Sequence, residues 1–276
     1  MSTKLPSIAI IGAGAMGGAI LAGLVAPGVE VSGGIRVTNR TAAKAATVAG
    51  SGVESWALED DPGANLRAVR GAQVVLIGVK PAMVPDALRA LAPALERDAL
   101  VISVAAGVTT ATMESIVPNS VLRAMPNTPA IVGKAVTGLA AGSRATPEQA
   151  ALGRALFETV GTVVEVPEAQ IDELGTISGS GPAYVYYLIE ELTKTAVKQG
   201  FSPAVASQLV NGTFLGAIEL LAASGHEPAD LRRQVTSPKG STERAIAELE
   251  KADLTALFDR ATGAALARTK ELAAGN

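Results

Sequence analysis

Two short stretches of the sequence have residue types and spacings that suit an anionic ligand. Gly12, Gly14 and Gly17 form the pattern G-x-G-x-x-G directly after the apolar run IAII. Residues 235 to 245 read VTSPKGSTERA, in which hydroxyl residues, a proline and a glycine separate two helical patterns. The free N–H groups and the positive dipole end of a helix start can bind a phosphate or a carboxylate. Each stretch is therefore a candidate anion site.

The stretch from 235 to 245 also fits a plain helix start. Ser241 and Thr242 are good N-cap residues, and Pro238 with Gly240 makes a natural turn. A cap satisfies the N–H groups of its own helix, whereas an anion site leaves them for a ligand. This stretch taken alone favours the cap, so the rest of the chain has to decide.

The glycine pattern predicts dinucleotide binding because it lies between a predicted strand and a predicted helix. Gly12 would permit the tight turn, Gly14 would let the backbone approach a pyrophosphate, and Gly17 would let helix and strand pack closely. The alternative is a glycine-rich turn that serves packing alone.

The end of the second predicted strand indicates which dinucleotide is bound. NAD sites usually have an Asp or Glu there, about 20 residues past the glycines. Asn39, Arg40 and Thr41 occupy that place, with no carboxylate among them. An arginine with hydroxyl groups favours a 2′-phosphate, so we predict NADPH, with NADH as a weaker hydride donor. The alternative is an exposed arginine on a loop.

The composition excludes several other kinds of site and partner. The 276 residues include no cysteine and one histidine, His226, so thiolate sites and histidine metal clusters cannot form, and we predict no metal. The net charge of −3 predicts neither nucleic acid nor an acidic membrane as a partner. The absence of cysteine also fits a reducing cytoplasm.

The first half of the chain predicts a doubly wound α/β sheet. Short apolar runs alternate with helical patterns, as is typical of buried parallel strands joined by crossover helices. The predicted strands are 8–11, 35–39, 74–79 and 100–105, followed by 120–124, 136–141 and 162–166. The uncharged segment 8–29 contains six glycines, which suits a strand, a turn and a helix better than a membrane span.

After about Pro167 the pattern is helical. One apolar face runs through 182–199, Gly200 is a good stop, and Ser202 with Pro203 begins a further helix. In residues 203–224 Glu219 is the single charge, so this helix should be buried nearly all round, and a second subunit is the expected cover. We predict an N-terminal Rossmann-like domain, residues 1–166, and a C-terminal all-helical substrate-binding and dimerisation domain, residues 167–276.

The chain resembles the pyrroline-5-carboxylate reductases, the last enzymes of proline biosynthesis, almost from end to end. The matching stretches are IGAGAMGGAI, NRT, VKP, VAAGV, RAMPNTPAIVG, SGSGPAYVY and VTSPKGSTERAIAELE. The resemblance implies reduction of the C=N bond of 1-pyrroline-5-carboxylate to L-proline with NADPH. It also implies a cytoplasmic homodimer that assembles to a decamer.

The resemblance also implies site residues. Those expected to bind the cofactor are Gly12, Gly14, Ala15, Met16, Gly17, Asn39, Arg40, Asn65, Val79, Lys80, Pro81, Ala105, Ala106 and Gly107. The substrate carboxylate is expected at Ser237, Gly240, Ser241 and Thr242, which we call the carboxylate cradle. Asn127 lies in a loop next to the nicotinamide side.

The chain departs from the family pattern at three places. Lys239 stands where the family commonly has glycine, and Gly175, followed by Thr176, stands where many members have threonine. The stretch ESWALEDDPGAN before Asn65 is longer than usual, which weakens that one assignment.

The chemistry implied by the resemblance needs no ionised side chain. Hydride transfer requires orientation and exclusion of water, and an imine can take its proton from solution, so we assign no catalytic acid or base.

Tyr184, Tyr186 and Tyr187 spread around one helix and are interpreted as core or interface residues. One alternative is another NADP-dependent oxidoreductase that acts on an imine or on a β-hydroxyacid. β-Hydroxyacid dehydrogenases have a catalytic lysine in the corresponding helix, and this chain has no lysine there before Lys194. The other alternative is an NADP-sensing protein, which would not need the carboxylate cradle.

Overall fold

The computed structural model describes residues 3–273, and side chains as far as residue 271. The chain forms two compact units. One comprises the described parts of 1–180 and 265–276, and the other comprises 181–264.

Ten strands lie in the first unit, and none follows Glu165 within the described residues. Their bounds are β1 Thr3–Leu5, β2 Ile8–Ile11, β3 Val29–Val31, β4 Ile35–Asn39, β5 Val53–Ala57, β6 Val74–Ile77, β7 Leu100–Ser103, β8 Val121–Met125, β9 Ala135–Ala141 and β10 Gly161–Glu165.

The α-helices connect these strands and then form the rest of the chain. Their bounds are α1 Ala15–Leu24, α2 Ala42–Val48, α3 Ala64–Val69, α4 Val84–Leu91, α5 Thr110–Glu114, α6 Pro147–Glu158, α7 Ile171–Leu174, α8 Gly181–Lys198, α9 Pro203–Ser224, α10 Pro228–Gln234, α11 Ser241–Glu250 and α12 Leu254–Ala273.

The main sheet has eight strands in the order β10-β9-β8-β7-β6-β2-β4-β5. Every neighbouring pair is parallel except β8 and β9, which are antiparallel. The chain leaves β2 in one direction through β4 and β5 and then returns to β6 on the other side. Ligands of open α/β sheets bind at such a reversal, outside the carboxyl ends of the strands.

Alternating side chains of the central strands build two apolar layers, one on each face of the sheet. Ile8 and Ile10 of β2 pack with Ile20 of α1, whereas Ile11 packs on the opposite face with Val69 of α3. All four residues of β2 and of β6 are buried, which explains why their sequences are apolar at every position. The predicted fold class, a doubly wound sheet followed by a helical region, is confirmed.

Three strands were absent from the sequence prediction, and two others end two residues earlier than predicted. β1 and β3 have three residues each and pair with one another outside the main sheet. β5 is an edge strand whose residues, VESWA, include the polar pair Glu54 and Ser55, so it contains no continuous apolar run. Residues 78–79 and 104–105, predicted as strand, belong to the loops that follow β6 and β7.

Helix α9 leaves most of its apolar side chains exposed in a single chain. It begins as predicted, with Ser202 accepting a hydrogen bond from the amide of Val205, and of its 22 residues only Ala206 and Val210 are buried. Leu215 is 62% exposed. Among the described helices, α9 is the only one long and apolar enough to cross a membrane by length and composition. A helix without a polar face requires an apolar cover, which the single chain does not supply.

Candidate active site

The three glycines after β2 have the three geometries that a dinucleotide loop requires. Gly12 has a φ of +88°, which a side chain would disfavour. A Cβ at Gly17 would lie 2.8 Å from the carbonyl oxygen of Gly12, so only glycine lets α1 pack this closely. Gly14 is the N-cap of α1, and a Cβ there would meet no atom within 4 Å. The start of α1, with Ala15 and Met16, therefore faces open space with its N–H groups free.

The loop after β6 contacts the glycine loop directly, and one residue of this contact escaped the sequence analysis. A Cβ at Gly78 would lie 2.5 Å from the carbonyl oxygen of Gly12, so this position also requires glycine. A Cβ at Gly12 would in turn lie 3.0 Å from the side chain of Val79. Lys80 is exposed and precedes a single helical turn that begins at Pro81. The structure therefore brings the predicted residues of these two loops together.

The loop after β7 is shaped by a buried serine. Ser103 is fully buried, and its hydroxyl oxygen accepts a hydrogen bond from the amide of Ala105 at 3.2 Å. Ala106 is exposed, and Gly107 has a φ of +75°. Because β2, β6 and β7 are parallel neighbours, the loops that follow them lie along the same edge of the sheet.

Polar atoms without partners lie at the end of β4 and the start of α3. Asn39, the last residue of β4, is 4% exposed, and its Nδ2 has no hydrogen-bond partner within the described chain. The same holds for Oγ1 of Thr38 and for Oδ1 of Asn65, the second residue of α3. Buried polar atoms are normally paired, so these groups fit a polar ligand that supplies the missing hydrogen bonds. Arg40 is exposed beside them.

In the second unit, the carboxylate cradle forms an uncapped helix start. Ser241 and Thr242 are the first two residues of α11, and the N-cap is Gly240, which makes no side-chain hydrogen bond. The interpretation of Ser241 or Thr242 as the cap is therefore wrong. Glycine suits this position because a Cβ there would lie 2.5 Å from Oγ of Ser237. The N–H groups of the first helical turn have no intrahelical acceptor, which is the condition for an anion site.

The backbone of the cradle explains the departure at Lys239. Lys239 has a φ of +59°, a left-handed conformation that glycine adopts without strain. Its amide N–H donates to Oε2 of Glu243 at 2.9 Å, which holds the turn against the helix. A glycine would adopt this conformation without strain, and Lys239 adopts it here with the turn held by Glu243.

The histidine and the tyrosines lie in the second unit. His226 is exposed in the loop between α9 and α10. The ring of Tyr184 packs against Phe258 with centroids 6.0 Å apart, while Tyr186 and Tyr187 are 63% and 62% exposed. Tyr186 and Tyr187 are therefore not core residues of the single chain, and a place in an interface stays a prediction for them.

His226→Gln should leave kcat within about threefold of the parent value. Loss of a general acid would lower it by about a hundredfold or more. Steady-state kinetics of the folded variant measure this, and a hundredfold loss would mean that the proton does not come from solution.

Two sets of buried polar contacts escaped the sequence analysis. Arg123, in β8, is 1% exposed and donates to Oε1 of Glu168 at 3.1 Å and to Oδ1 of Asp172. Asn127, after β8, donates to the carbonyl of Ser178 and accepts from the amide of Val136, both at 2.9 Å. Nothing local in the sequence reveals such pairs, because the partners lie far along the chain.

Gly175, where the chain departs from the family pattern, lies close to the side chain of Met125. Residues Gly175–Gly179 form a π-helical turn, and a Cβ at Gly175 would lie 3.2 Å from Cε of Met125. Thr176, the neighbour, is 5% exposed and donates its hydroxyl to the carbonyl of Glu173 at 2.8 Å. The hydroxyl of Thr176 thus donates to the backbone three residues earlier in the chain.

The glycine loop, the reversal in strand order and the helical second unit define the class of two-unit oxidoreductases that bind a dinucleotide. Residues 7–107 match the family model described as NADP oxidoreductase, coenzyme F420-dependent, and residues 168–272 match that described as pyrroline-5-carboxylate reductase dimerisation. A curated pyrroline-5-carboxylate reductase of Pseudomonas aeruginosa is 40% identical, over 99% of this chain and 98% of that one. The chain belongs to the pyrroline-5-carboxylate reductase family.

Solved structures of the same family support this assignment. A pyrroline-5-carboxylate reductase from Coxiella burnetii is 36% identical with a TM-score of 0.88, covering 96% of this chain and 97% of that one. The enzyme from Plasmodium falciparum, solved with NADP bound, is 25% identical with a TM-score of 0.81, covering 97% and 98% of the two chains. The chain is an NADPH-dependent oxidoreductase that reduces 1-pyrroline-5-carboxylate to proline, and it self-associates through its dimerisation region.

Proposed function

We propose that the first unit binds NADPH along the carboxyl edge of its sheet and that the second unit binds the substrate carboxylate at the start of α11. The observation that carries this assignment is the uncapped start of α11, whose free N–H groups follow a turn held by Glu243. The domain division 1–166 and 167–276 is part of the proposal, and the dimerisation model that begins at residue 168 supports it.

The proposed cofactor site combines the open glycine loop with the unpaired polar atoms. Gly12, Gly14 and Gly17, with Ala15 and Met16, would hold the pyrophosphate through backbone amides. Asn39 and Asn65 would supply hydrogen bonds to the adenosine half, where their buried atoms lack partners. The nicotinamide side would be lined by Val79, Lys80, Pro81, Ala105, Ala106 and Gly107, which follow β6 and β7.

Arg40 would bind the 2′-phosphate that distinguishes NADPH from NADH. Arg40→Gln should raise KM for NADPH about tenfold and leave KM for NADH within about twofold. A charge-assisted contact to phosphate is worth about 1.5 to 3 kcal/mol, and exposure of this side chain favours the lower end. Initial rates with both cofactors test this.

Arg36→Gln is a matched control, because Arg36 donates instead to the carbonyl of Arg70. If Arg40→Gln affects both cofactors equally, Arg40 does not bind the 2′-phosphate.

The proposed cradle would fix the substrate without a charged side chain. The first amides of α11 and the hydroxyls of Ser237, Ser241 and Thr242 would bind the carboxylate, with the helix dipole favouring its charge. NADPH supplies the hydride, and the chain's contribution is to orient the imine carbon and to exclude water. The imine takes its proton from solution, so no side chain of this chain is assigned as an acid or base.

We also propose that the dimer is built mainly on α9 and that dimers assemble to a decamer. We further propose that the enzyme is cytoplasmic and has neither nucleic acid nor a membrane as a partner. The exposed apolar side chains of α9, within the region that matches the dimerisation model, support the dimer. The absence of cysteine and the net charge of −3 support the location and the excluded partners.

The α9 assignment predicts an obligate dimer. Sedimentation of the purified enzyme should show dimers or larger assemblies down to nanomolar concentration, because a separated α9 would expose its apolar surface to water. A stable and active monomer at that concentration would contradict the assignment.

A further inference from the structure

Asn127 joins two segments that lie far apart in the sequence. It follows β8, is 7% exposed, and belongs to the first unit. Its Nδ2 donates to the carbonyl oxygen of Ser178, and its Oδ1 accepts from the amide of Val136, both at 2.9 Å. Both ends of this side-chain amide are therefore used, and exchanging the positions of Oδ1 and Nδ2 would break both hydrogen bonds.

The segment that Asn127 holds is the π-helical turn Gly175–Gly179. Such turns are rare and occur frequently at functional sites. Here the turn is closed by the amide of Ser180, which donates to the carbonyl of Gly175 at 3.0 Å. At its other end Gly175 lies against Met125, the last residue of β8. The turn is thus attached to the end of β8 at two points, one apolar and one hydrogen-bonded.

This attachment lies at the edge of the sheet where ligands bind. β8 is parallel to β7, so Asn127 follows the strand next to the one that precedes Ala105. Open α/β sheets bind their ligands outside these carboxyl ends. A displacement of about 1 Å of a segment that shapes a reaction site can cost about a hundredfold in rate.

We propose that Asn127 is a positioning residue for the reduction, which holds the Ser178 carbonyl and with it the π-helical turn in place beside the nicotinamide side of the site. Asn127 itself neither touches the reacting atoms nor transfers a proton. The inference rests on the proposed function in one respect, namely that the nicotinamide is bound by the loops that follow β6 and β7. It is independent of the carboxylate cradle, so failure of the cradle and failure of this inference are distinguishable.

The chain offers a matched control in Asn119. This asparagine precedes β8, at the opposite edge of the sheet, and is 3% exposed. Its Nδ2 donates to the backbone carbonyls of Glu96, Arg97 and Ala99 at 2.9, 3.3 and 3.0 Å. Asn→Asp at either position therefore removes a buried donor to carbonyl oxygen and introduces the same carboxyl group.

The test compares Asn127→Asp with Asn119→Asp for melting temperature, kcat, KM for the imine and the dissociation constant of NADPH. Both variants should melt at a lower temperature. Asn127→Asp should lose about 10- to 100-fold in kcat, with NADPH affinity within about threefold, whereas Asn119→Asp should keep kcat within about twofold. If Asn127→Asp does not fold, Asn127→Ala removes the donor without adding charge and should show the same loss of kcat. Equal kcat values for the Asn127 and Asn119 variants would overturn the inference. An Asn127 variant that loses only affinity for NADPH would also overturn it.

Discussion

Arg123→Met should lower the free energy of unfolding by about 3 kcal/mol. Arg123 is 1% exposed and is the counter-ion of both Glu168 and Asp172. Breaking a buried ion pair by removing one partner typically costs about 3 to 5 kcal/mol, because the remaining charge is left without compensation. Since the two carboxylate side chains are 28% and 23% exposed, water can reach them, and we expect the lower end of that range. Denaturant unfolding monitored by circular dichroism measures the change.

Arg154→Met is the control for this prediction. Arg154 pairs with Glu165 at 2.7 Å, but the two side chains are 39% and 48% exposed. An exposed pair is worth about 0 to 1 kcal/mol, so this variant should unfold almost like the parent. Combining Arg123→Met with Glu168→Gln and Asp172→Asn should recover part of the loss, since it removes the unpaired charges. Equal losses for the Arg123 and Arg154 variants would show that burial of the ion pair contributes nothing.

Thr242→Val should lower kcat/KM for 1-pyrroline-5-carboxylate about 10- to 100-fold. The change keeps the shape and removes one hydrogen bond to a charged group, worth about 1.5 to 3 kcal/mol. Affinity for NADPH should hardly change. The melting temperature should also be nearly unchanged, because Thr242 follows the N-cap and its side chain does not cap α11. Kinetics and melting are measured on the same sample.

A cyclic imine without a carboxylate is the control substrate for Thr242→Val. It should be a poor substrate of the parent enzyme and nearly indifferent to the change, because the contact that Thr242 supplies is absent. If this analogue loses as much activity as the natural substrate, the carboxylate is not bound at Thr242. A fall in melting temperature with normal kcat/KM would restore the role of helix cap.

The parts of the fold that were predicted from sequence are those in which local pattern and tertiary environment agree. β2 and β6 are apolar throughout because helices cover both faces of the sheet, so their runs were visible. Ser202 and Gly200 mark the ends of α9 and α8 through backbone conformations that their residue types favour. The edge strand β5 was missed because Glu54 and Ser55 interrupt it, so its five residues show neither an apolar run nor a regular alternation.

The parts of the site that escaped prediction depend on partners far away in the sequence. Arg123 meets its two carboxylates 45 and 49 residues later, and Asn127 meets Ser178 after 51 residues. Gly78 needs to be glycine because the carbonyl oxygen of Gly12, which follows the neighbouring strand β2, lies too close for a side chain. The cap of α11 was misassigned because both hydroxyl residues satisfy the local rule, whereas the N-cap is Gly240, where the approach to Ser237 leaves no room for a side chain.

The measurement that tests the account most directly is product analysis of the purified enzyme with NADPH and 1-pyrroline-5-carboxylate. Oxidation of NADPH and formation of proline are quantified in the same reaction, with the carboxylate-free imine and an open-chain keto acid as parallel substrates. The account predicts one proline formed for each NADPH oxidised and little turnover of the other two compounds. Rapid oxidation of NADPH with the keto acid, and none with the cyclic imine, would contradict it.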